Sequence, residues 1–157
     1  MPYIKQERRD QVKPELDCLK GRIKNYEDMC MHVEVIAHDY AYQTNQNDKL
    51  FKITDFIVCD GDLNYILTSL IWSFLDENPG YTNHRRVYSF LEKLKLNFIV
   101  NFRNDTDHFL HGSCHGYEET PALEVIGVIS NIIQETYRRK TAPYEDLKIE
   151  ENGDLAS

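Results

Sequence analysis

The chain has 157 residues, 41% of them apolar, and a formal net charge of −8. That length suits one domain with a sizeable core. The charge disfavours binding to long nucleic acid or an anionic membrane, and no apolar run approaches the roughly 20 residues that span a bilayer.

Cys18, Cys30, Cys59 and Cys114 are widely spaced and contain no C-x-x-C pair, so reduced thiols are expected. The polar opening carries no features of a signal peptide, and a cytoplasmic protein follows as the expectation.

In chain order, residues 1–13 are polar, and Pro14 reads as the first residue of a helix. Leu16, Leu19, Ile23 and Tyr26 then form one helical stripe. From Met31 the period changes: Met31, Val33 and Val35 alternate with polar or opposite-facing neighbours. Leu50 to Cys59 is rich in β-branched and aromatic residues, with a polar turn between. This spacing predicts an inserted β-hairpin across about 31–59, with a continued helix as the competing reading.

Asp60-Gly61-Asp62 opens a long helix over about 62–77, because acids suit the helix N-terminus. Leu63, Ile66, Leu67, Leu70, Ile71, Phe74 and Leu75 give it a broad apolar face, and Asn78-Pro79-Gly80 ends it. A second long helix covers about 83–103, with Val87, Phe90, Leu91, Leu94, Phe98 and Phe102 along it. A polar loop follows. Thr120-Pro121 opens the third, with Leu123, Ile126, Gly127, Ile129, Ile133 and Tyr137 along its length. Thr141-Ala-Pro143 is expected to stop it. Tyr144 to Glu151 forms a short final helix, closed by Asn152-Gly153. The fold class is therefore mainly α: a bundle of three long helices plus a short C-terminal helix, with one inserted hairpin.

Three constellations bear on chemistry. First, His108, His111, Cys114 and His115 cluster within one loop and have the ligand types that zinc or another divalent metal takes. His32, Glu34, His38 and Asp39 are further candidates. The paired spacing of structural zinc sites is missing, so a polar loop without a metal or other cofactor is the preferred reading.

Second, Glu118-Glu119, Glu145-Asp146 and Glu150-Glu151 are adjacent carboxylates, which diverge on a helix and form no clamp. The long helices have no E-x-x-E pair of the kind that holds magnesium in helical nucleotide pyrophosphohydrolases. Neither a catalytic set nor a glycine-rich phosphate loop is legible.

Third, Tyr137, Arg138, Arg139 and Tyr144 combine stacking faces with forked donors suited to phosphate or carboxylate. Asn64 and Tyr65 add an amide and a phenol, and Arg8 and Arg9 form an N-terminal counterpart. The competing reading is structural: the cations complement a helix C-terminus and pair with Glu145, Asp146 or the final acids.

Certain strings in the chain go beyond these features: Met1-Pro2-Tyr3-Ile4 with Glu7-Arg8-Arg9, Gly61-Asp62-Leu63-Asn64-Tyr65, Ile126-Gly127-Val128, Tyr137-Arg138-Arg139, Ala142-Pro143-Tyr144-Glu145-Asp146 and Glu151-Asn152-Gly153-Asp154. In these the chain resembles a family of short, uncharacterised phage-encoded proteins. The resemblance implies a single helical domain in which about 29–59 and 100–118 are insertions, acting in the cytoplasm of an infected host cell. It implies no reaction.

The leading expectation is a counter-defence protein that binds and sequesters a small nucleotide-derived immune signal, a cyclic oligonucleotide or an ADP-ribose derivative, without turnover and as a homo-oligomer. The alternatives are an acidic protein–protein inhibitor of a host factor and a metal-dependent nucleotide phosphohydrolase.

Overall fold

The computed structural model describes residues 4–42, 51–110 and 121–153, with side chains for all of these except 103–110. Six α-helices account for most of them: α1 (Gln6–Arg22), α2 (Tyr26–Tyr42), α3 (Asp60–Glu77), α4 (Tyr81–Leu110), α5 (Pro121–Thr136) and α6 (Ala142–Asn152). A 3₁₀ turn spans Lys52–Phe56, and a π-helical turn, Tyr137–Thr141, joins α5 to α6. The fold is mainly α, as the periodicity implies.

The first helix begins earlier than Pro14, at Gln6. Pro14 sits inside it on the exposed side, where the ring and missing donor disturb no buried group. Leu16, Leu19 and Ile23 are buried as expected. Tyr26 instead starts α2, after a break capped by Asn25 and Asp28. Asn25 Oδ1 accepts the Asp28 N–H at 2.8 Å and Asp28 Oδ2 accepts the Lys24 N–H at 3.0 Å.

The predicted hairpin is absent among the described residues of 31–59. Residues 31–42 belong to α2. The buried residues of α2 are Met29, His32, Val33, Ile36, Ala37 and Ala41, which form a helical stripe, while Met31 is exposed. Val33 satisfies both periods, and the window was too short for alternation to decide. The stretch read as a partner strand contains the 3₁₀ turn, and the β-favouring residues Phe51, just before it, and Ile53, within it, plug the core.

Side-chain pairs set the helix directions. Asn64 Nδ2 donates to Asn131 Oδ1 at 2.8 Å, Trp72 Nε1 donates to Thr136 Oγ1 at 2.9 Å, and Lys140 Nζ meets Asp76 at 3.0 Å. These rungs advance together, so α3 and α5 run parallel. Tyr26 meets Phe74 at the far end of α3 (6.3 Å between rings), so α2 runs against them. Tyr26 also donates to the Arg86 carbonyl (3.0 Å) and Asn101 donates to Tyr42 (3.0 Å), so α4 runs with α2. The apolar α5 packs against α2, α3 and α4 together. Its buried residues are Ala122, Val125, Val128, Ile129, Ile132 and Thr136, a stripe rotated from the predicted one. Ile126 and Ile133 are only partly buried, and Gly127 is exposed.

Pro143 does not stop the helix. Ala142 keeps helical angles (φ −61°, ψ −45°) and its N–H reaches back five residues to the Tyr137 carbonyl. In an α-helix, five residues turn the chain roughly 140° past a full turn, so Thr136 and Thr141 would face apart. The wider π turn brings them back toward one face, where both are buried. Gly80 (φ 142°) and Gly153 (φ 83°) take left-handed conformations at the α3–α4 turn and at the end of α6, the latter as the Asn-Gly pair predicts.

Candidate functional site

The sequence-predicted site residues separate into two regions. Arg8, Arg9, Asn64 and Tyr65 lie at the N-terminal end of α3. Tyr137, Arg138, Arg139 and Tyr144 lie around the π turn, six to thirteen residues beyond Asn131 and so about 9–20 Å away along the continuous helix formed by α5, the π turn and α6.

At the first region the cations are engaged within the protein. Arg8 bonds the buried carboxylate of Asp62 at 2.8 Å and donates to the Phe56 carbonyl. Asp62 also accepts the Val58 N–H at 3.1 Å, so one carboxylate ties α1, the 3₁₀ turn and α3 together. The hydrogen bond that Arg8 donates to Asp62, opposed by desolvation, raises the Arg8 pKa above its ordinary value. Arg9 lies over the Tyr65 ring at 5.5 Å. Asn64 accepts from Thr68 at 3.0 Å and joins Asn131 on the wall of a polar groove of about 490 Å³ that includes Asp60, Glu124 and Gly127.

At the second region the three consecutive cations also have partners. Arg138 and Arg139 both bond Glu135, at 2.8 Å and 3.1 Å, and the Arg138 hydrogen bond holds the Glu135 carboxyl below its usual range. The pairing is internal, as the structural reading expects, but the acid is Glu135 rather than Glu145 or Asp146. Lys140 pairs with Asp76 and lies 5.1 Å from the Trp72 ring centre.

Beside these cations, and not lined by Arg138 or Arg139, is an open cleft of about 540 Å³ between the start of α4 and the π turn. Tyr81, His84, Arg85 and Tyr88 line it from α4. Ile133, Tyr137, Thr141 and Glu145 line it from the rod, and Glu92 lies further along α4. The size suits a small molecule, and three phenol rings on the walls give it flat apolar surfaces with polar tips.

A buried network forms one wall. Thr141 Oγ1 lies 2.8 Å from His84 Nδ1 and 2.5 Å from the Tyr88 hydroxyl, and both Thr141 and His84 are almost fully buried. His84 stacks on Tyr144 at 5.3 Å, and Lys148 lies over the other ring at 5.6 Å from its centre. Burial pushes the His84 imidazole below its ordinary pKa, against the opposing charges of Asp76 and Glu145. Burial raises the Tyr88 phenol. Tyr137 is half exposed and also raised, chiefly by the nearby charge of Glu145. Arg85 has no ion-pair partner among the described residues.

Of the predicted residues, then, Tyr137 lines the cleft and Tyr144 supports it through His84. Sequence reasoning missed His84, Tyr88, Tyr81, Thr141 and Glu145 as a group. The one sequence signal for them is the 4- and 3-residue spacing of Tyr81, Arg85 and Tyr88, which puts them on one helix face.

His111, Cys114 and His115 lie outside the described residues, as does the side chain of His108 on α4. Among the described residues no three metal-ligating side chains converge. His32 stacks on Phe51 and bonds the Asp28 carbonyl through Nδ1, while His38 stacks on Tyr42 and lies tilted against Phe98. No helix among the described residues is long and apolar enough to cross a membrane.

No curated protein and no solved structure matches the chain. A family model described as Domain of unknown function (DUF6899) matches residues 1–104 and 111–155. A match over nearly the whole length makes the chain a member of the DUF6899 family.

Proposed function

We propose that this protein binds and sequesters a small nucleotide-derived signal in the tyrosine-lined cleft, without turnover, as a phage counter-defence protein in the infected cell. The observation that carries this reading is the convergence of Tyr81, Tyr88 and Tyr137 around a molecule-sized cleft, with Arg85 beside them and no carboxylate paired with it among the described residues. Stacking faces and one forked cation suit a base bearing a phosphate. Sequestration needs donors and ring faces but neither base nor metal. Among the described residues, the hydroxyl held by an imidazole there, that of Thr141, is buried and engaged by Tyr88 as well. That arrangement favours binding over nucleophilic chemistry. The resemblance to phage-encoded proteins supplies the biological setting, and a homo-oligomer is the expected working form.

Incubation with cyclic oligonucleotides and ADP-ribose derivatives, followed by heat denaturation, tests the proposal. The expected result is depletion of a signal from solution and its intact recovery. Recovery of a cleavage product would replace sequestration with an enzyme. Tyr81→Ala and Tyr137→Ala should each weaken capture by roughly 10- to 100-fold, the scale of one base–aromatic stack.

A second reading, an acidic inhibitor of a host protein, draws on α6. This helix has no buried residue and exposes Leu147 and Ile149 among Glu145, Asp146, Glu150 and Glu151. Copurification of a host protein that is lost on Leu147→Asp, with Tyr81→Ala harmless, would favour it.

A further inference from the structure

A second hollow lies on α4, and Arg85 lines both it and the tyrosine cleft. Thr82, Arg86 and Ser89 follow Tyr81, Arg85 and Tyr88 by one residue each, so they trace a parallel stripe roughly 100° further round the helix. With Arg85 they line an open hollow of about 340 Å³. Arg86 is held in place from α2. Its guanidinium lies 3.9 Å from the centre of the Tyr26 ring, and the Tyr26 hydroxyl donates to the Arg86 carbonyl at 3.0 Å. Stacking uses the face of the guanidinium and leaves its in-plane N–H groups for an acceptor. One of these, on Nη2, meets Glu27 at 3.4 Å in a pair that is exposed on both sides. The two hollows differ in charge. Glu92 and Glu145 line the tyrosine cleft, whereas among the described residues no carboxylate lines the hollow of Thr82, Arg85, Arg86 and Ser89.

We infer that Thr82, Arg85, Arg86 and Ser89 form a phosphate-binding subsite, which takes the phosphate of a ligand whose base lies in the tyrosine cleft, with Arg85 bridging the two. As a subsite of the cleft it rests on the nucleotide reading; as an anion site it rests on its own residues. Two forked cations and two hydroxyls supply donors that match the acceptor oxygens of a phosphate. Within the cleft a phosphate would meet the like charges of Glu92 and Glu145, and a partly desolvated wall strengthens that repulsion. On the other side of Arg85 the lining carries no such charge. Glu27 is the competitor there. Its pair with Arg86 is long and exposed, of a kind worth little in water, so a phosphate with its greater charge displaces it. The ligand that fits both hollows is a base joined to a diphosphate or phosphodiester long enough to reach round α4.

Calorimetric titration of the full chain with adenosine, guanosine, their 5′-diphosphates and inorganic pyrophosphate tests it. The better-bound diphosphate should exceed its nucleoside by roughly 10- to 100-fold, the scale of a charge-assisted hydrogen bond. Arg86→Gln should bring the two within about threefold, because the charge and the fork are lost together. Glu27→Gln should tighten the diphosphate and pyrophosphate by about two- to fivefold, the scale of one exposed ion pair, and a gain of this kind cannot come from damage to the fold. A diphosphate bound no more tightly than its nucleoside, or a preference that neither variant moves, overturns the subsite and leaves the cleft as a site. Pyrophosphate bound with both nucleosides silent keeps the anion site and overturns the nucleotide reading of the cleft. No heat with any of these compounds at millimolar concentration overturns both.

Discussion

The Thr141 hydroxyl oxygen serves two partners at once, and this makes it the most informative single atom in the molecule. Thr141→Val keeps the shape and removes the oxygen, leaving Tyr88 and the buried His84 without their shared partner. A destabilisation of about 1–3 kcal/mol is expected from urea unfolding, with Thr141→Ser close to wild type. His84 gives a signed pH dependence. Its folded pKa is depressed, so the unfolded chain takes up a proton first, near pH 6.5. The contribution to stability is complete above that value and is lost as pH falls below it. Melting temperatures between pH 7 and pH 5 should fall less steeply for His84→Gln than for wild type. None of this was legible in the sequence. Asn83-His84-Arg85-Arg86 looks like a surface helix start, and its partner Thr141 lies 57 residues away in what reads as a helix stop. The internal pairing of Arg138 and Arg139 was legible in kind. Its acid, Glu135, lies one helical turn back along the chain, whereas the downstream acids Glu145 and Asp146 lie beyond the π turn that holds the cations.

At the scale of elements, Pro14 and Asp62 make opposite predictions. Pro14 interrupts α1 on its exposed side, so Pro14→Ala restores a helical donor and relieves a clash, offset by a more flexible unfolded chain. A net gain of about 2 kcal/mol in a denaturant titration is expected. Asp62→Ala removes the carboxylate that holds both Arg8 and the Val58 N–H, and should cost about 1–3 kcal/mol. The long helices were readable because α3 and α4 repeat their apolar period over many turns. Residues 31–59 were not, because β-branched residues fill a helix and a 3₁₀ turn there, and burial overrode local propensity. The continuation of α5 through Pro143 was also hidden, since a π turn has no sequence signature of its own.

Across the whole molecule, the described part of segment 29–59 contributes α2 to the same core as α3, α4 and α5. At the other extreme, α6 buries no side chain and packs chiefly on the π turn. Its eleven residues are short for a helix standing alone in water. Amide hydrogen exchange should therefore be fast in α6 and slow in α5, and ligand bound in the cleft, which Glu145 of α6 lines, should slow α6 selectively. The parallel pairing of α3 with α5 has a mechanical consequence. Asn64–Asn131, Trp72–Thr136 and Asp76–Lys140 act as teeth of a rack, and sliding one helix by a single turn, about 5.4 Å, would disengage all three at once. The rod is therefore geared against translation. Sliding along α3 therefore cannot open the cleft, which leaves flexing of the rod at the π turn, where the last tooth sits, or movement of α4.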